Sequence, residues 1–122
     1  MLKTGDHVLL SHRRLFAEDQ PRFFTGTVND QEHGVATATG HSWVRDPFSG
    51  DWVRSNHERT KVFSLVSGSL IVYQLPIACE MRELAFVQLP DQALILRDGR
   101  SFEMDLTERH THGAPAGERR AS

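Results

Sequence analysis

Residues 61–76, KVFSLVSGSLIVYQLP, form the longest run of apolar and β-branched residues in the chain, interrupted only by Ser67-Gly68. Read as a hairpin closing on that dipeptide, the run opposes Val66 with Ser69, Leu65 with Leu70, Ser64 with Ile71, Phe63 with Val72 and Val62 with Tyr73. Side chains alternate along a strand and opposed residues point the same way, so Phe63, Leu65, Leu70 and Val72 share one face, predicted to be core. The other face carries Val62, Ser64, Val66, Ile71 and Tyr73. It is too apolar for open water, and a second element or a partner must cover it. A self-complementary contact is the commonest way to do so, which predicts a homodimer through Val62, Val66, Ile71 and Tyr73.

Upstream, Gly5-Asp6 precedes HVLLSH, an alternating strand with Val8, Leu10 and His12 on one side and His7, Leu9 and Ser11 on the other. Arg13–Pro21 reads as a long loop. Arg22–Asp30 and Val35–Asp46 then read as strands joined across QEHG, with Val28 opposite Ala36, Gly26 opposite Ala38, Phe24 over Gly40, and Phe23 beside His41 on the opposite face. Their small residues permit strong curvature, and a bulge at Gly40 would reverse the facing of every later residue in that strand. A further hairpin, SWVRDPFSGDWVRS (Ser42–Ser55), closes on Pro47-Phe48-Ser49-Gly50 and opposes Arg45 with Trp52, Val44 with Val53 and Trp43 with Arg54.

Downstream, Pro76–Glu83 reads as a short helix over residues 77–83, with proline at its first position, in preference to the alternative of a continuous strand. Two more hairpins, around Pro90-Asp91 and Asp98-Gly99, align Phe86, Ile95 and Phe102 across three strands beside Ala93 and Met104. The tail from Thr107 has no large apolar residue and is expected to be disordered. The expected organisation is one all-β domain over residues 1–106 and a tail over 107–122. That domain is a small SH3-like barrel or a two-sheet sandwich of six to nine short antiparallel strands. The opening third, a glycine-aspartate strand, a loop and a curved hairpin, resembles the start of SH3-like small barrels; the resemblance implies a fold and no function.

The chain has 122 residues, 14 basic against 16 acidic side chains and a formal net charge of −2, so general binding of nucleic acid through phosphates is disfavoured. No apolar run approaches a membrane span and the N-terminus lacks the pattern of a signal peptide, so a cytoplasmic location is expected. Cys79 is the sole cysteine, which excludes an internal disulfide and a cysteine-based zinc site within one chain. Of the seven histidines, His110 and His112 are close in sequence, yet with Asp105 and Glu108 they make only an adventitious metal site. No phosphate loop, nucleophile elbow or dinucleotide fingerprint is present, and no cofactor, metal or catalytic residue is assigned.

One constellation rises above this background. Trp43 facing Arg54 and Arg45 facing Trp52 would stack guanidinium groups on indoles, and Phe23 and His41 extend the same surface. Such a face serves either to stabilise its own hairpin or to bind. The sequence therefore predicts a non-catalytic binding or assembly module that uses Phe23, His41, Trp43, Arg45, Trp52 and Arg54 as an exposed face for a protein partner. A single-stranded nucleic acid stacked on that face, or a small β-barrel enzyme built on a histidine, are the alternatives.

Overall fold

The computed structural model describes residues 2–12, 22–91 and 93–107. The predicted loop Arg13–Pro21 and the tail beyond Thr107, with His110 and His112, lie outside the described residues. Nine strands run through the described residues in order: β1 (His7–His12), β2 (Arg22–Glu32), β3 (Val35–Arg45), β4 (Trp52–Arg54), β5 (Arg59–Ser64), β6 (Leu70–Leu75), β7 (Ala85–Gln88), β8 (Leu94–Arg97) and β9 (Glu103–Asp105). They make two antiparallel sheets, one ordered β4-β3-β2-β1-β6 with β5 also beside β3, the other β7-β8-β9. The predicted helix over 77–83 is reduced to a single 3-10 turn, Met81–Glu83.

The apolar run at 61–76 does not fold back on itself. β5 pairs with β3, from Val35 opposite Ser64 to Gly40 opposite Arg59, and β6 pairs with β1, from His7 opposite Leu75 to His12 opposite Leu70. The intervening residues turn on serine hydroxyls: the Val66 amide donates to Ser64 Oγ and the Ser69 amide to Ser67 Oγ. No ladder joins β5 to β6 among the described residues, so the sheet curls without closing as a barrel. The facing was nonetheless legible. Phe63 is buried in one core, and Leu65, Leu70 and Val72 pack against it. The predicted apolar strip is dispersed, because Val62 sits on β5, Val66 in the following turn, and Ile71 and Tyr73 on β6, and the two strands pair with different neighbours. Val62 and Val66 are 70% and 85% exposed, whereas Tyr73 packs against the other core.

The β2–β3 hairpin closes two residues tighter than QEHG suggests. His33 (φ 53°) and Gly34 (φ 80°) are both left-handed, the backbone of a two-residue turn that matches strand twist, and the strands therefore run to Glu32 and Val35. Gly26 consequently opposes Gly40, and Phe23 opposes Trp43 rather than His41. The bulge lies between Val28 and Asp30 instead of at Gly40. On the far side of β3, residues 55–58 face only 41–42, so β4 and β5 are one edge interrupted by a kink.

Two cores result, one on each side of the large sheet. Val8, Leu10, Phe24, Val28, Ala36, Ala38 and Phe63 fill the inner, curved side. Leu9, Phe23, Trp43, Trp52 and Leu75 face the other way and are covered by Leu84, Phe86, Leu94 and Leu96 from the second sheet and its approach. In that second sheet Phe86 opposes Leu96, which opposes Met104; Ile95 lies on the other face, one residue out of the predicted alignment with Phe86 and Phe102. At the start of the predicted tail, Thr107 Oγ1 accepts the Leu94 amide at 2.9 Å.

The predicted Asp98-Gly99 turn is a five-residue loop, 98–102, between Arg97 and Glu103. A buried carboxylate organises it. Asp98 accepts amide hydrogens from Glu80 at 3.0 Å, Arg100 at 2.9 Å and Phe102 at 3.1 Å, tying the loop to the segment before the 3-10 turn. The Glu80 amide first, then that of Arg100, hold the carboxyl at about 2, below its ordinary 3.8, against the opposing pull of burial. Because the folded value is the lower one, the stabilisation is complete above pH 3.8 and disappears as pH falls towards about 2. Asp98→Asn replaces an acceptor by a donor facing these amides. The variant is expected to melt several degrees lower at neutral pH and to lose less stability than wild type between pH 4 and 2; parallel acid-melting curves for the two proteins would contradict this.

Candidate functional site

The β3–β4 hairpin has the register its sequence predicts: Trp43 opposite Arg54, Val44 opposite Val53, Arg45 opposite Trp52. Alternation along β2, β3 and β4 puts Phe23, His41, Trp43, Arg45, Trp52 and Arg54 on one side of the sheet. That side is not an exposed recognition face, because Phe23, Trp43 and Trp52 are buried beneath β7. The Phe86 ring stacks on Phe23 at 4.7 Å between centroids, meets Trp43 edge-on at 4.9 Å and tilts against Trp52 at 5.5 Å. Three large rings carry too much apolar area to be left wet when a second sheet with an apolar face is at hand.

The polar members of the set are absorbed in different ways. The Arg54 guanidinium sits 5.1 Å from the centroid of the Trp43 ring and donates to the carbonyls of Arg82 and Leu84, each at 3.0 Å, with Met81 O at 3.5 Å. It therefore satisfies the carbonyls around the 3-10 turn and clamps the second sheet to the first. Arg45 does not stack on Trp52; its Nε donates to Gly50 O, within the hairpin's own loop. His41 Nδ1 lies 3.0 Å from Ser55 O at the β4–β5 kink, and Trp43 Nε1 donates to the buried Thr25 hydroxyl. Trp52 Nε1 is buried with no hydrogen-bond partner among the described residues. An open cleft of about 380 Å³ lies between this hairpin and β7, lined by Arg45, Asp51, Trp52, Phe86 and Gln88 among others.

The exposed part of the hairpin is its tip and its reverse side, which the sequence reading passed over. Phe48 is 97% exposed, and Val44 and Val53, opposite one another, are 56% and 46% exposed. The loop that carries Phe48 is held by the Asp46 amide to Asp51 O and the Gly50 amide to Asp46 O, each at 2.8 Å, and by the Phe48 amide to Asp46 Oδ1 at 2.9 Å. The Asp-Pro-Phe-Ser-Gly turn chemistry held the clue: it specifies a rigid loop whose one large side chain has nothing to pack on.

Burial, with the Asp98 and Glu80 charges behind it, pushes the Cys79 thiol up to about 11, so it is protonated and inert near neutrality. His33 and Glu32, 3.4 Å apart, share a surface hollow with Asp30, but both side chains are largely exposed, and water weakens any acid-base coupling between them. Among the described residues no group of three or more histidine, cysteine, aspartate or glutamate side chains is placed to hold a metal ion. No helix among them is long and apolar enough to cross a membrane. Comparison with protein-family models, with curated proteins and with solved structures finds no match.

Proposed function

We propose that the protein is a non-catalytic binding or assembly module that takes a protein partner at the tip of its β3–β4 hairpin. Phe48 carries this reading: a phenylalanine 97% exposed on a loop fixed by its own hydrogen bonds. A rigid loop loses little conformational freedom on binding, and aromatic anchors of this kind dominate the energetics of protein interfaces. Val44 and Val53 extend the apolar surface from the tip along the hairpin. The strand order supports an SH3-like architecture beneath it, since β6 returns antiparallel beside β1 after the β2–β3–β5 meander. The aromatic and arginine set named from the sequence then supports the hairpin from below and is not the contact surface.

The test compares wild-type protein and Phe48→Ala as baits in native extract, with and without nuclease. A protein retained by wild type and lost by the variant at an unchanged melting temperature is the expected result. Equal retention by both would overturn the reading. Retention abolished by nuclease alone would transfer it to single-stranded nucleic acid.

A further inference from the structure

The inner, curved side of the large sheet ends in a group of cations that the hairpin reading leaves unused. His12 of β1 is directly opposite Arg22 of β2, and alternation puts both on the side of Val8, Leu10 and Phe24. Lys61 and Arg59 alternate with the buried Phe63 on β5 and so face the same side. The Lys61 ammonium lies 5.5 Å from the centroid of the Phe24 ring, and Phe24 stands two residues from Arg22 on the same face of β2. Three strands thus place four basic side chains on one side of the sheet, His12 opposite Arg22 and Lys61 over the Phe24 ring. The carboxylates those strands carry, Asp30 and Glu32, lie at the far end of β2, and Glu58 precedes β5.

The convergence is felt electrostatically. Burial first, then the charges of Arg22 and Arg59, depress the Lys61 ammonium, and burial, Lys61 and Arg22 together depress the His12 imidazolium. Like charges gathered on one side of a sheet oppose folding unless an anion compensates them. We propose that His12, Arg22, Arg59 and Lys61 form a binding site for a phosphate-bearing anion on the inner face of the sheet. Two guanidinium forks and an ammonium suit the tetrahedral oxygens of phosphate, and the spread of the four cations over three strands suits a diphosphate or a run of phosphates better than a single small anion.

The probe is inorganic pyrophosphate, titrated at fixed ionic strength against the wild-type protein, Arg22→Gln and Lys61→Gln, with His12 followed by NMR. Wild type is expected to gain thermal stability and to show the His12 pKa rising on addition. Each variant should bind about tenfold more weakly or worse, the loss of one charge-assisted contact. Lys61→Gln should also melt higher than wild type without pyrophosphate, because repulsion is relieved, a result a purely structural lysine would not give. Equal stabilisation of all three proteins would reveal an adventitious ion only and overturn the proposal, as would no binding to wild type. A single-stranded oligonucleotide in place of pyrophosphate distinguishes sources: tighter binding, lost in both variants, assigns the site to phosphates of a chain, and weaker binding assigns it to a free phosphate compound.

Discussion

Gly40→Ala is expected to leave little native protein at room temperature. Gly40 opposes Gly26 in the middle of the β2–β3 ladder. A Cβ at position 40 would stand 1.9 Å from Thr25 O, 2.5 Å from Gly26 Cα and 2.8 Å from Thr25 C. All three are backbone atoms, so no rotamer change relieves the clash and the strands themselves must separate. Overpacking that side chains can absorb costs about 1–3 kcal/mol. Forcing two central strands apart costs more, out of a total stability of about 5–15 kcal/mol for a domain. Urea unfolding monitored by tryptophan fluorescence measures the loss. Gly68→Ala is the control, since its Cβ would meet nothing within 4 Å and its midpoint should stay near wild type. A wild-type midpoint for Gly40→Ala would mean that the two strands do not approach this closely.

Phe86→Ala is the second large effect, expected at about 3–5 kcal/mol. Phe86 is the side chain of the second sheet that touches Phe23, Trp43 and Trp52 at once. Its removal opens a cavity between the sheets that neither backbone can collapse to fill. The near-ultraviolet circular dichroism of the two tryptophans should fall, and Phe86→Leu should recover much of the stability by refilling the volume. Leu65→Ala should cost clearly less, because Leu65, on the predicted core face of the 61–76 run, is only partly buried. Equal urea midpoints for Phe86→Ala and wild type would show that the second sheet does not rest on this ring.

Fold class and most side-chain facings were legible in the sequence; strand partners were not. Alternation is a property of one strand, and it placed Phe63, Leu65, Leu70 and Val72 together although their strands pair elsewhere. Neighbour choice depends on where distant strands are available, and here β3 and β1 take β5 and β6 in separate ladders. The register of β3–β4 was readable because its loop carries proline, glycine and an Asx turn, whereas the left-handed His33 of the β2–β3 turn has no such signature. The Trp-Arg set was found as a set and misjudged in exposure for a related reason. Nothing local to residues 43–54 says that Phe86, more than thirty residues later, will cover them. Phe48 was passed over because its importance lies in what it fails to touch.

β1 holds three consecutive buried residues, Val8, Leu9 and Leu10, because it is walled by a core on each side. For a chain accumulating mutations, this has an evolutionary meaning. A strand with one wet face can change every second residue at little cost, but residues 8–10 of β1 offer no such neutral position, and a one-residue slip would send Leu9 into the inner core and both its neighbours into the outer one. Sequence drift among descendants should therefore stall at 8–10 and run freely at the β3–β4 hairpin tip, where Phe48 contributes nothing to the interior. A lineage could thus exchange what the tip recognises while keeping the architecture that presents it.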